Sequence, residues 1–276
     1  MMIVTRIRPH FGADVEVDIK QLGPAHRNEL VQLLGEHKVL RFRQQFLSPE
    51  QFITFSELFG ECWGAGDDGL QGNNEQGRCL EGYPKITLVS NQAKGVLRDH
   101  DIIWHNDVSH RPWEREGGTC PTRILYAVTL PKSDPCPTHW LDQEWLYDHC
   151  PLDIRDDLEE RMATYKAPYT TAWEHCRKRI VQINPITGRK TLMVDRLFLK
   201  GIDGYSNEKF VNTRNRLLQL AQHPDNVITN HWEVGDLVIN NNYNTAHWRP
   251  SFKSQEERTL WRSTFQVPEI IPKTFV

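Results

Sequence analysis

The strongest periodic signal in the chain is LSPEQFITFSELFG, residues 47–60. Phe52, Phe55 and Phe59 recur at helical spacing, so they share one face. Ser48 has the chemistry of an N-cap, Pro49 suits the first helical position, Gln51 completes a capping box, and Gly60 stops the helix. A second amphipathic stretch, residues 206–223, groups Phe210, Leu217, Leu218 and Ala221. Residues 142–162 read as a helix in two pieces around Pro151, and a shorter helix runs from Pro24 through Leu30, Val31 and Leu34. The run KVLRFRQ sets Leu40 and Phe42 against Val39, Arg41 and Arg43, the two-residue period of a strand with one buried side. After it come the short β-like runs KITLVS, DIIWHND, RILYAVTL, KTLMVD, NVITNHW, DLVINN and RTLWRSTFQV. Many short strands with few helical interruptions predict an α+β fold, with helices packed on a closed or double-sheet β core of the jelly-roll kind.

Residues 61–84 break this patterning. They are rich in Gly, Asn and acidic residues, which bury little surface, so a mobile loop is expected there. With no repeat and no low-complexity linker, the 276 residues read as a single domain, 1–276. The formal net charge of -3 offers no basic field for nucleic acid or an anionic membrane surface. A small-molecule partner is the expectation. No apolar run is long enough to span a bilayer and the N-terminus turns charged early, which predicts a cytoplasmic protein. The six cysteines form no C-x-x-C pair and no tight framework, so reduced thiols are expected rather than structural zinc or disulfides.

Candidate chemistry centres on IIWHNDVSH, residues 102–110. On a strand, His105 and Asp107 point to one face and can converge on one ion, while Asn106 points away. Such a pair is also an ordinary structural unit, and a third ligand has to come from elsewhere. His247, in INNNYNTAHWRP just after the strand DLVIN, is the candidate. Two histidines and a carboxylate make the facial triad of mononuclear Fe(II) oxygenases, with positions left for oxygen and a co-substrate. A 2-oxoglutarate co-substrate would need a fixed cation for its distal carboxylate; Arg258 and Arg262 lie four apart on a strand-like run.

These motifs resemble the taurine dioxygenase family of Fe(II)/2-oxoglutarate-dependent oxygenases, which also holds the 2,4-dichlorophenoxyacetate dioxygenases. The resemblance spans nearly the whole chain: FGADVEVDI and VLRFRQQFLSPEQF near the start, WHNDVSH as the family's W-H-x-D, then PITGRKTLMVD, HWEVGDLVINNNYNTAHWRP and ERTLWRSTF in order. It implies a double-stranded β-helix core; Fe(II), 2-oxoglutarate and O2 as cofactor and co-substrates; and His105, Asp107 and His247 as iron ligands. Arg258 would anchor the distal carboxylate with Thr138, although Pro-Cys-Pro stands where the family has Gly-Gly; Thr119, in EGGTC, is the rival. The implied substrate contacts are Arg262 for an acidic group, Asp101, His110 and Phe198, whose alternative is a plain core residue. Asp101 and His110 differ from the family's residues and argue against taurine as the substrate, since a carboxylate repels a sulfonate; an amino-acid-derived metabolite suits Arg262 and Asp101 together. Asn241, Asn242 and Tyr243 replace a common Asp-Asn-Arg before the distal histidine. The implied activity is oxidative decarboxylation of 2-oxoglutarate to succinate coupled to C–H oxidation, hydroxylation by default, with desaturation or cyclisation also open. A zinc hydrolase and a non-catalytic metabolite-binding protein are the rivals, and neither uses all of these residues. Self-association into a homo-oligomer is left open.

Overall fold

A computed structural model describes residues 2–64, 78–92, 95, 100–110, 121–167, 175–184, 187–252 and 255–266. The chain opens with β1 (Ile3–Arg6), β2 (Ala13–Glu16), α1 (Arg27–His37), β3 (Val39–Phe42) and α2 (Pro49–Ser56). The body follows as β4 (Cys79–Leu80), β5 (Tyr83–Ser90), β6 (Ile102–His105), β7 (Pro121–Thr129), β8 (Thr138–Asp142), α3 (Gln143–His149) and α4 (Leu152–Leu158). Next come β9 (Met162–Lys166), β10 (His175–Arg179), β11 (Val181–Ile183), β12 (Lys190–Leu192), β13 (Leu199–Ile202) and α5 (Asn207–Ala221). The last strands are β14 (Val227–Asn230), β15 (Leu237–Asn240), β16 (Thr245–Arg249) and β17 (Thr259–Gln266).

Two sheets carry the architecture. The major one runs β1-β2-β3-β15-β7-β17-β5-β4 and the minor one β14-β8-β16-β6. Within them only the β2–β3 pair is parallel. Alternation along each major strand explains the layers. On β7, Ile124 and Tyr126 face outward and pack with Phe52 and Phe55 of α2 and Leu30 and Leu34 of α1. Ala127 and Leu125 face inward and meet Trp140 of β8 and Ile228 of β14, so the two sheets stack face to face. The far side of the minor sheet is covered by α3, α5 and the small sheets through Leu146, Leu217 and Leu199. The fold is α+β, as expected. No described helix is long and apolar enough to cross a membrane.

The Ser48 cap and its reciprocal box with Gln51 form as expected, at the start of α2. The two-piece helix breaks at Pro151, and α5 buries Phe210, Leu217, Leu218 and Ala221. The reading of β3 as buried on one side needs correction: Val39 is also buried, because it faces the core between the sheets while Leu40 and Phe42 face the helices. Of the expected loop 61–84, residues 65–77 lie outside the described residues, and its last part is strand.

Candidate active site

The three expected ligands meet at one end of the space between the sheets. His105 ends β6 and pairs across the minor sheet with His247 on β16. Their ring centroids are 4.1 Å apart. Asp107 Oδ1 lies 3.7 Å from His105 Nε2, and Oδ2 lies 3.6 Å from His247 Nε2. The local geometry differs from the expected strand alternation. β6 stops at His105, and Asp107 sits in the turn that follows. Two other side chains set its position. Buried Asn106 donates to Gln143 Oε1 and to the carbonyls of Asn242 and Thr245, each at 2.9 Å. Asn242 brackets the Asp107 peptide, accepting from its N–H and donating to its carbonyl, both at 2.8 Å. His247 follows β15, as expected, and lies within a strand of its own, β16.

Protonation suits a cation. His105 Nδ1 is 2.8 Å from the Ile103 carbonyl, so Nδ1 carries the proton and Nε2 faces Asp107. Burial works against charge on His105, but the hydrogen bond and charge of Asp107 outweigh it and raise its pKa. Burial drives His247 down to about 3, with the neighbouring His105 adding to the effect, so it is a neutral donor. Asp107 is half-buried, and although desolvation works against its charge, Arg123 and the two histidines hold its carboxyl well below the usual carboxylate range. Among the described residues this is the one His/Cys/Asp/Glu group able to converge on a metal. Two imidazoles and one carboxylate fit a mononuclear non-haem iron site.

The cleft beside this triad is lined by both sheets. Arg123, Arg249, Arg258 and Arg262 line it, against Asp107 as the one lining carboxylate among the described residues. Arg258, 2% exposed, immediately precedes β17, while Arg262 lies within it and is also buried. The Pro-Cys-Pro segment turns out to grip Arg258: Nε donates to the Pro135 carbonyl at 3.0 Å and Nη2 to the Cys136 carbonyl at 3.1 Å. Burial lowers the Arg258 pKa to about 10, so the guanidinium stays charged at neutral pH. No described carboxylate pairs with it. Thr138 lines the same cleft; its hydroxyl accepts from Trp232 Nε1 at 3.0 Å, which leaves its own proton for a guest. Thr119 lies outside the described residues.

Three residues expected to touch substrate are not brought to the cleft lining. Asp101 is exposed and accepts from Trp248 Nε1 at 2.6 Å. His110 and Phe198 are buried and stacked, with centroids 4.9 Å apart, and Phe198 packs behind His105 at 6.2 Å as part of the largest apolar cluster. Arg123, in contrast, escaped the sequence reading. Its signal was a charged residue in register with Leu125 and Ala127 on the core-facing side of a strand, a place where charge is costly without a partner.

A family model described as taurine catabolism dioxygenase TauD, TfdA family matches residues 4–264. The chain belongs to that family. It is therefore an enzyme of the dioxygenase class. An alpha-ketoglutarate-dependent 2,4-dichlorophenoxyacetate dioxygenase from Cupriavidus pinatubonensis is 26% identical over 291 residues, covering 95% of this chain and 97% of its own. An alkylsulfatase from Acinetobacter baylyi is 25% identical over 254 residues, 84% of this chain and 74% of its own. The crystal structure of a taurine dioxygenase from Burkholderia xenovorans aligns with a TM-score of 0.78 at 26% identity, covering 96% of this chain and 89% of that one. The relatives' names span several substrates, so membership identifies the reaction class and leaves the substrate to the cleft.

Proposed function

We infer that the protein is an Fe(II)- and 2-oxoglutarate-dependent dioxygenase that oxidises a small acidic metabolite. The observation that carries this reading is the buried Arg258 fork, free of any described carboxylate and lining one cleft with the His105–Asp107–His247 triad. A zinc hydrolase would need the triad but not Arg258. The two stacked sheets are, on this reading, the walls of a double-stranded β-helix, and residues 1–276 act as one catalytic domain.

His105, Asp107 and His247 would hold iron(II), which when bound supplies oxygen activation, coupling decarboxylation of 2-oxoglutarate to succinate with oxidation of a substrate C–H bond. Arg258 meets the distal carboxylate with charge-assisted hydrogen bonds, and the Thr138 hydroxyl adds a donor. Val89, Leu125 and Leu260 form apolar wall around that charge, limit water and strengthen the pairing. Arg262, on the inner face of β17, receives an acidic group of the substrate. The expectation of an amino-acid-derived substrate rests partly on Asp101, whose position away from the cleft lining lends it no support. Hydroxylation is the default outcome; desaturation and cyclisation differ only in which substrate atom is held nearest the triad.

The test is an anaerobic visible-absorption titration with Fe(II) and 2-oxoglutarate. A charge-transfer band is expected for the wild-type protein, none for His247→Ala, and a need for about 100-fold more 2-oxoglutarate for Arg258→Ala. A folded, iron-loaded wild type without the band would overturn the reading.

A further inference from the structure

Arg123 has a place in the cleft that ligand geometry alone does not explain. It projects from the inner face of β7, 2% exposed, in the row that continues through Leu125 and Ala127. Its Nε donates to Asp107 Oδ2 at 2.9 Å, and its Nη1 donates to the hydroxyl of Thr264 on the paired strand β17. The Thr264 bond ties the guanidinium to a second strand through a different nitrogen. The Asp107 peptide is meanwhile bracketed by Asn242, so neither the backbone nor the carboxylate can swing freely. The two carboxylate oxygens are thereby made unequal. Among the described residues, Oδ2 accepts from the Arg123 guanidinium, whereas Oδ1 faces only His105 Nε2, at 3.7 Å.

A carboxylate can hold a metal through one oxygen or through two. Two-oxygen binding is tighter, but it consumes a coordination position. An oxygen already accepting from a guanidinium is a poorer donor, and a fixed cation close to the site opposes metal charge directly. We propose that Arg123 is a positioning residue that keeps Asp107 Oδ2 occupied, so that the carboxylate offers the metal Oδ1 alone and three positions stay open. The inference rests on the metal reading given above. Its consequence is a trade: the site gives up metal affinity and gains room for a two-point co-substrate and dioxygen.

The trade gives a direction opposite to that of an ordinary supporting hydrogen bond. Removing a group that merely orients a ligand weakens metal binding, typically about 10–100-fold. Removing Arg123 tightens it. The experiment uses Mn(II) alone, with affinity read from the electron paramagnetic resonance of free Mn(II) and bound water counted by proton relaxation, on wild type, Arg123→Met and Arg123→Lys. With six-coordinate Mn(II), wild type is expected to keep about three waters and Arg123→Met about two, with about tenfold tighter binding. Arg123→Lys, which retains charge and a donor, stays near wild type. Should Arg123→Met fail to fold, Arg123→Gln carries the same expectation, since its shorter neutral amide does not reach Oδ2. An unchanged water count, or weaker Mn(II) binding, in the folded neutral variant overturns the proposal. A wild type that binds no Mn(II) instead overturns the metal reading on which it depends.

Discussion

The three proposed ligands, His105, Asp107 and His247, differ in what each must do before a metal can enter. Burial has already stripped His247 of its proton, with its pKa near 3, and Arg123 keeps Asp107 ionised. His105 alone has its proton affinity increased, because the hydrogen bond and charge of Asp107 outweigh burial and raise its pKa, so a metal competes with a proton there. The sign follows: as pH falls through the raised His105 pKa, the proton competes better and metal affinity falls, while above that pKa affinity is flat. One group titrates, so the limiting slope is about tenfold per pH unit. Mn(II) titrations at stepped pH between about 6 and 8.5 check this; a slope of two protons would mean that His247 is also charged. Asn242 supplies a second test. Asn242→Leu removes both bonds to the Asp107 peptide and is expected to lower Mn(II) affinity by about 10–100-fold. Unaltered affinity would show that the turn after β6 holds without it.

At the scale of elements, α2 is the best test of local logic. Its start was written in the sequence, and its aromatic face rests on Tyr126 and Trp261 of the major sheet. Ser48→Ala removes the cap bond to the Gln51 N–H and is expected to cost about 1 kcal/mol. Urea unfolding reads this, and a loss below about 0.3 kcal/mol would mean that tertiary packing alone holds the first turn. The same element shows why some structure was legible and some was not. Helices with caps and a single apolar stripe announce themselves, as α2 and α5 did. β8, THWLD, and β16, TAHWR, carry Thr138 and His247 but mix polar and aromatic residues on both sides, because one face lines the cleft. Their strand pairing comes from neighbours far along the chain, which no short window contains. The convergence of His105, Asp107 and His247, and the place of Arg258 in the same cleft, were readable because the motif spacing records the fold's closure. Asp107 in a turn and Arg123 beneath it were not, since both depend on which strands lie side by side.

At the scale of the molecule, one buried charge cluster ties the two sheets together near their common end. Lys38, just after α1 and at the start of the major sheet's β3, extends Nζ to Asp142 Oδ2 at 2.5 Å and Glu144 Oε2 at 3.1 Å. Asp142 ends β8 of the minor sheet and caps α3. Glu144 also accepts from Asn184 and from Asn244, in the turn between β15 and β16, and the Lys38 carbonyl accepts from the Asn241 N–H of that turn. The cluster therefore holds the segment that delivers both Asn242 and His247. Lys38→Met keeps the side-chain length, leaves Asp142 buried without its cation and leaves Glu144 only the half-exposed Arg189 at 3.4 Å, a loss of about 3–5 kcal/mol at neutral pH. The pH dependence has a definite sign. Burial already raises the Asp142 pKa above 3.8 despite the opposing pull of Lys38, and removing Lys38 raises it further. In the window above 3.8 and below that raised value the folded variant binds more protons than the unfolded chain, so its stability falls as pH rises. The deficit against wild type should thus be larger at pH 8 than at pH 5.5 in paired urea unfolding curves, and Mn(II) affinity should fall with it as the β15–β16 turn loosens. A deficit independent of pH would show that the lysine acts by packing, leaving the two sheets to be joined by their apolar faces alone.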